Sequence, residues 1–238
     1  MTTPPRTLAQ VLAATGPILL DFDGPVCTVF ATTPAATVAA QLRQVLTDHG
    51  ATLPADVAEQ TDPLKVLRYT ATLDNPQLTA RIDDQLRHAE QQATTSATPP
   101  PTPARSSSPP TTPAGRWPSS ATNSEPAIRA YLAAHCIAGY IDHITGRAYA
   151  EPALMKPHPW PVLTAITALA AQPAACVLLG DSPRDIQAAH AAGVHTIGYA
   201  NKPGKAQRLA HAGAEALAEG TEGMGHLARL LHAETPPA

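Results

Sequence analysis

Two apolar runs constrain this chain most, because each ends in carboxylates. Ile18-Leu19-Leu20 leads into Asp21-Phe22-Asp23-Gly24-Pro25, and Ala175-Cys176-Val177-Leu178-Leu179-Gly180 leads into Asp181-Ser182-Pro183-Arg184-Asp185. A short continuous apolar run bounded by turn residues is how a strand buried on both faces of a parallel sheet reads. In an open sheet of that kind, chemistry collects just outside the carboxyl ends of the strands. Asp21 and Asp23 stand there at i and i+2, on one face if the strand stays extended. Two like charges held so close require a cation or a shared proton. Pro183 suits the first turn of a helix, and Asp185 then lies where the helix dipole favours a carboxylate. Each feature alone has a plainer reading, a solvated strand end or a helix cap. Together, two strands ending in Asp clusters make a hard-oxygen site suited to Mg²⁺. Between the runs, Lys156 lies in Leu154-Met155-Lys156-Pro157-His158-Pro159, a proline-stiffened loop ahead of a helix.

Four segments, Asp21-Phe22-Asp23-Gly24, Thr122-Asn123, Lys156-Pro157 and Gly180-Asp181-Ser182-Pro183-Arg184-Asp185, occur in the order of the motifs of the haloacid dehalogenase-like hydrolase superfamily. Ala192-Gly193-Val194-His195-Thr196-Ile197-Gly198 also looks like that family's AGV strand. The chain thus resembles this superfamily over nearly its whole length, in its phosphoglycolate-phosphatase-like branch. The resemblance implies a nucleophilic Asp21 that becomes an aspartyl-phosphate, and an Asp23 that serves as acid and then base. It implies Mg²⁺ held by Asp21, the Asp23 main-chain carbonyl and Asp181, with Asp185 close by. Thr122, Asn123 and Lys156 would hold phosphate oxygens, and Lys156 would also stabilise charge on Asp21. The family's true dehalogenases lack an acid at the position of Asp23, so its presence favours phosphate chemistry. Pro25 departs from the usual Thr and removes one N–H from a loop that normally faces phosphate.

Alternating β and α units imply an α/β fold, a doubly wound, Rossmann-like parallel sheet. Expected core elements are a helix at 5–15, strands at 17–22, 175–180 and 194–199, and helices at 161–171 and 183–192, with two short helices closing the chain. Residues 27–93 read as a helical insert, with apolar stripes Val38, Leu42, Val45, Leu46; Leu64, Val66, Leu67, Tyr69; and Leu78, Ile82, Leu86, Ala89. In the resembled family such an insert is a C1-type cap, which places the core in 1–26 and 94–238. Of the charges on the insert, Lys65, Arg68 and Arg81 could reach a substrate, although such residues are more often a solvated face.

Residues 94–120 fit poorly, being almost wholly Thr, Ser, Pro and Ala. Their composition is that of a disordered linker, where the family has a helix and the second core strand. Trp117-Pro118-Ser119-Ser120 makes a poor buried strand. Taking both serines as TCN codons and reading one base earlier gives Leu/Met/Val, then Ala, then two residues from Phe/Leu/Ile/Val. The segment is therefore either a Pro/Ser/Thr-rich insertion or a compensated frameshift.

With 238 residues, a net charge of -3 and no basic run, the chain shows no nucleic-acid footprint. No apolar run reaches membrane-spanning length, Met1 to Gly16 lacks a signal-peptide pattern, and Cys27, Cys136 and Cys176 are odd in number and scattered, which favours a reducing cytoplasm. The expected activity is Mg²⁺-dependent hydrolysis of a small phosphorylated metabolite. The alternatives are a phosphosugar mutase of the same family and a non-catalytic binding protein on a decayed phosphatase fold.

Overall fold

The computed structural model describes residues 6–95, 97, 119–120, 123–141 and 143–233. Helix α1 (Leu8–Leu12) is started by a capping box, in which Thr7 Oγ1 accepts from Gln10 N and the Gln10 side chain accepts from Thr7 N. Strand β1 (Ile18–Leu20) follows, then helices α2 (Ala35–Asp48), α3 (Ala55–Ala58), α4 (Pro63–Tyr69) and α5 (Pro76–Thr94). Next come β2 (Ser119–Ser120), α6 (Glu125–Ala134), β3 (Ile144–Thr145) and α7 (Trp160–Ala168). The chain continues with β4 (Val177–Gly180), α8 (Pro183–Ala191), β5 (His195–Ala200), α9 (Lys205–His211), β6 (Ala216–Glu219) and α10 (Gly220–Ala233).

Among the described residues, six strands form one parallel sheet in the order β3-β2-β1-β4-β5-β6. Successive side chains of a strand point to opposite faces, and the core divides accordingly. Ile18 and Leu20 join Val177, Leu179, Ile197 and Tyr199 beneath α1 and α10, with Leu8, Val11, Leu12 and Leu227. Leu19 and Leu178 face the other way onto Val162, Ile166, Ala188 and Ala189 of α7 and α8. Both faces are covered, which is why β1 and β4 are continuous apolar runs rather than alternating ones. The winding reverses between β1 and β4, and Ile18, Leu19 and Leu20 pair in register with Val177, Leu178 and Leu179. The carboxyl ends of these two strands therefore meet at the switch point, where open α/β sheets leave a crevice.

Helices α2, α4 and α5 share an apolar cluster of their own, built from Val38, Leu42, Leu46, Val66, Leu67, Leu78, Ile82 and Leu86, which Met155 joins. Proline and a side-chain cap start both later helices: Asp62 Oδ1 accepts from Leu64 N at 2.9 Å, and Asn75 Oδ1 from Leu78 N at 3.0 Å. Helix α5 is also tied to the loops beside β2 and β3. Arg147, 4% exposed, donates from Nε to Asp83 Oδ1 at 2.9 Å and from Nη1 to Glu90 Oε1 at 2.9 Å. Glu90 Oε2 accepts from Ser124 N at 2.9 Å, and Asp83 Oδ2 from Ala150 N at 2.8 Å.

The structure corrects the sequence reading at one whole element. Two short helices were expected to close the chain, but β6 lies between them and pairs Ala216 to Glu219 with Ile197 to Ala200. Ala-Leu-Ala-Glu is made of strong helix formers, and pairing with β5 overrides that propensity. In the doubtful 94–120 stretch, α5 extends to Thr94, and Ser119–Ser120 pair with both β1 and β3 as an interior strand. Residues 96 and 98–118 lie outside the described residues.

Candidate active site

The loop after β1 and the start of α8 place their carboxylates around one cleft. It has a volume of about 150 Å³ and is lined by Asp21, Asp23, Lys156, Asp181 and Asp185, with Ser182 and Arg184 from the α8 side and Leu64 and Arg68 from α4. Asp21 follows directly on β1, its N–H donating to Leu179 O at 2.9 Å. The chain does not stay extended to Asp23 as expected. It turns at Gly24, whose N–H donates to Cys27 O at 2.7 Å, and Asp23 Oδ1 accepts from Val29 N at 3.0 Å.

Glycine at position 24 is required by space as well as conformation. Its φ is +110°, and a Cβ there would lie 2.2 Å from Asp181 Oδ2. Gly180 is needed for the same closeness, since a Cβ on it would lie 2.3 Å from Asp185 Cβ.

Lys156 is wholly buried, and its Nζ donates to Asp185 Oδ1 at 2.8 Å and Asp21 Oδ1 at 3.0 Å. Asp185 also does what a helix cap does. Its Oδ2 accepts from Ser182 N at 2.9 Å and Ser182 Oγ at 2.7 Å, and Ser182 Oγ accepts from Asp185 N. The capping and functional readings of Asp185 are therefore not exclusive. Asp181 is ion-paired through Oδ2 with Lys205, which also donates to Asn201 Oδ1 at 2.9 Å.

Charge is unevenly offset here. Burial opposes ionisation of Asp185, but Lys156 and Ser182 outweigh it and hold that carboxyl below its usual range. Burial, with Asp185 and Asp181 beside it, pushes Asp21 well up despite Lys156. Burial pushes Asp181 up to about 6, with Lys205 working against it. Asp23 is also raised, chiefly by burial, with its bond from Val29 opposing. Lys156 rises above its ordinary value because Asp185 and Asp21 outweigh the cost of burying it. One ammonium thus serves two carboxylates, and Asp185 holds the larger share of it. Carboxylate oxygens of Asp21, Asp181 and Asp185 lie within 4.8 Å of one another. That grouping suits a hard cation with oxygen ligands.

The remaining expected site residues behave differently. Asn123 is 2% exposed and its Nδ2 donates to Glu90 Oε1 at 3.4 Å, and neither residue lines the cleft. Thr122 lies outside the described residues. Of the three charges on the insert, Arg68 lines the cleft while Lys65 and Arg81 are exposed. Cys27 is buried and its thiol is pushed up by burial and by Asp23, which suits packing rather than nucleophilic attack. Sequence reasoning missed Lys205 and Arg184. Lys205 sits in a loop that reads as a solvated helix start, and the hint available was its place just past β5, next to the switch-point strand.

The fold is thus a doubly wound sheet with an acid-lined cleft and a buried lysine at its switch point. Residues 120–199 match the family described as haloacid dehalogenase-like hydrolase. Over those residues the chain is similar to that family. Phosphoglycolate phosphatase of Xylella fastidiosa is 56% identical over 42 residues, a stretch that spans 18% of each chain. Among solved structures, a predicted phosphatase from Clostridium acetobutylicum superposes with a TM-score of 0.62 at 14% identity, over 92% of this chain and 99% of that one. A HAD family hydrolase from Deinococcus radiodurans, solved with bound phosphate and sodium, gives a TM-score of 0.55 at 20% identity over 95% and 100%. At such identities the structural likeness is one of fold.

Proposed function

We propose that this chain hydrolyses a small phosphomonoester with the help of a divalent cation, in a cleft closed by helices α2 to α5 acting as a C1-type cap. In domain terms, residues 27–93 are that cap and 1–26 with 94–238 the core. The observation that carries the reading is the shared ammonium, with Lys156 bound to both Asp21 and Asp185 while Asp181 stands beside them.

The residues fit a divalent cation. Carboxylate oxygens of Asp21, Asp181 and Asp185 lie within 4.8 Å of one another, and one ammonium, Lys156, is shared by two of them. Asp21, Asp181 and Asp185 would hold the metal, Mg²⁺ being the natural choice for an all-oxygen set. When bound, it neutralises these carboxylates so that a phosphate dianion can approach one of them.

Asp21 then attacks phosphorus through a carboxylate oxygen. The new O–P bond forms as the bond to the leaving alkoxide breaks, giving an aspartyl-phosphate. Asp23, whose raised affinity for a proton suits it to act as the acid, delivers that proton to the alkoxide. Left as a carboxylate, Asp23 takes a proton from water, which attacks phosphorus and displaces Asp21 as inorganic phosphate forms. Lys156 keeps Asp21 oriented and offsets charge on the transferring group. Thr122 and Asn123 remain the residues expected to hold phosphate oxygens, Asn123 once its side chain is released by Glu90.

Hydrolysis of p-nitrophenyl phosphate tests the reading. Turnover is expected with Mg²⁺, to vanish with chelator, and to fall on the order of 10⁴-fold or more in Asp21→Asn. Turnover that survives either treatment would overturn it.

A further inference from the structure

We propose that Lys205 is an exchangeable counterion for Asp181: it holds that carboxylate until a divalent cation binds, then gives it up, and so sets how tightly the cleft holds the cation. This rests on the cation-dependent reading above and adds how that dependence is tuned.

All three carboxylates grouped for a cation already have an ammonium partner. Lys156 Nζ serves Asp21 and Asp185, and Lys205 Nζ is ion-paired with Asp181. A divalent cation among these oxygens is a like charge to both ammoniums, and like charges in a partly desolvated site repel. The two lysines differ in their freedom to respond. Lys156 is wholly buried and donates to two carboxylates, at 3.0 and 2.8 Å, while its main-chain carbonyl accepts from Arg68 Nη2 at 2.8 Å. Moving it would leave two buried carboxylates short of a partner. Lys205 pairs with one carboxylate, its side chain is 13% exposed, and it opens α9 just after Gly204, whose φ is +73°. Leu209 anchors α9 in a cluster with Ile186 and Ala200, so the helix keeps its place when the Lys205 side chain swings out. A second acceptor is already in place, Asn201 Oδ1 at 2.9 Å from Nζ.

The contested oxygen is Asp181 Oδ2. Lys205 binds that atom, and a Cβ on Gly24 would stand 2.2 Å from it, so Oδ2 lies against the loop that follows Asp21 and Asp23. An ammonium there takes lone pairs that a cation between Asp21 and Asp181 needs. Cation binding is therefore an exchange of partners at Asp181, which costs affinity relative to a bare carboxylate. In return, Lys205 spares the metal-free chain a half-buried charge with no partner.

The test titrates Mg²⁺ alone into the full chain by calorimetry. Lys205→Met, similar in length but uncharged, should bind Mg²⁺ about 10- to 100-fold tighter than the native chain, the range for a charge-assisted hydrogen bond that no longer competes. Lys205→Arg should stay close to native. Without metal, Lys205→Met should melt below the native chain, and saturating Mg²⁺ should remove that deficit. In the native chain itself, acetic anhydride labelling of Lys205, read by peptide mass spectrometry against exposed Lys65, should rise when Mg²⁺ is added. This last measurement decides the matter if the variant does not fold. Lys205→Met that binds Mg²⁺ no better than native, or Lys205 labelling unmoved by Mg²⁺, would overturn the exchange, since a lysine that merely braces Asp181 would weaken binding when removed and stay protected. If the native chain binds Mg²⁺ and the variant binds it no better, only the exchange fails. If neither binds Mg²⁺, the cation-dependent reading fails with it.

Discussion

Gly24 shows how little freedom the cleft leaves to a single residue. An alanine there must take a φ of +110° and set a Cβ against the Asp181 carboxylate. Gly24→Ala should cost about 1–3 kcal/mol of stability, visible as a lowered thermal midpoint, and should cut aryl phosphate turnover by displacing Asp181. Asp21, Asp23, Lys156, Asp181 and Asp185 were legible in sequence because each sits a fixed short distance from a strand end or a proline. Lys205 and Arg184 were not, because what matters about them is a partner far along the chain. Lys205 meets Asp181 across 24 positions, and Arg184 of α8 lines the same cleft as Arg68 of the insert. Asn123 was legible as a candidate, but sequence alone could not show that Glu90 would hold its side chain.

Among the elements, β2 is the one whose composition conflicts with its place. Ser119 pairs with Leu20 on one side and Ile144 on the other, an interior position that favours β-branched residues. Replacing Ser119 and Ser120 together by Val should raise the thermal midpoint, by about 1 kcal/mol or a little more in stability. A lowered midpoint would mean that the serines are not simply a weak strand. The link between α5 and the core loops was not legible, because Arg147 meets Asp83 and Glu90 across 64 and 57 positions. Breaking a buried ion pair from one side leaves charges without partners. Arg147→Met should therefore cost about 3–5 kcal/mol in denaturant titration, more than loss of an exposed pair such as Arg129 with Glu125. Strand β6 shows the opposite failure, a sequence that reads as helix and is recruited by a neighbouring edge.

Across the whole molecule, Glu215 joins the two ends of the fold. It accepts from Arg6 Nη1 at 2.9 Å, ahead of α1, and contacts His195 Nδ1 at 2.9 Å, at the start of β5. Burial alone would raise its carboxyl, but His195 and Arg6 bring it below the ordinary 4.5. A carboxyl lowered by folding adds stability above its unfolded value and loses it as pH falls through the folded one. The stability difference between native chain and Glu215→Gln should thus shrink progressively below about 4.5, as equilibrium unfolding at a series of pH values would reveal. The doubly wound class was readable from two apolar runs because a strand covered on both faces has no polar side to write into its sequence. The winding reversal was not written locally at all. It has a cost in time, for Leu20 waits for Leu179, its partner across the sheet, 159 residues later. A ribosome adding roughly 5–20 residues per second needs on the order of 10–30 s to cover that distance. Through that interval one edge of Ile18-Leu19-Leu20 stays open, and the nascent chain must be shielded from its neighbours until β4 emerges.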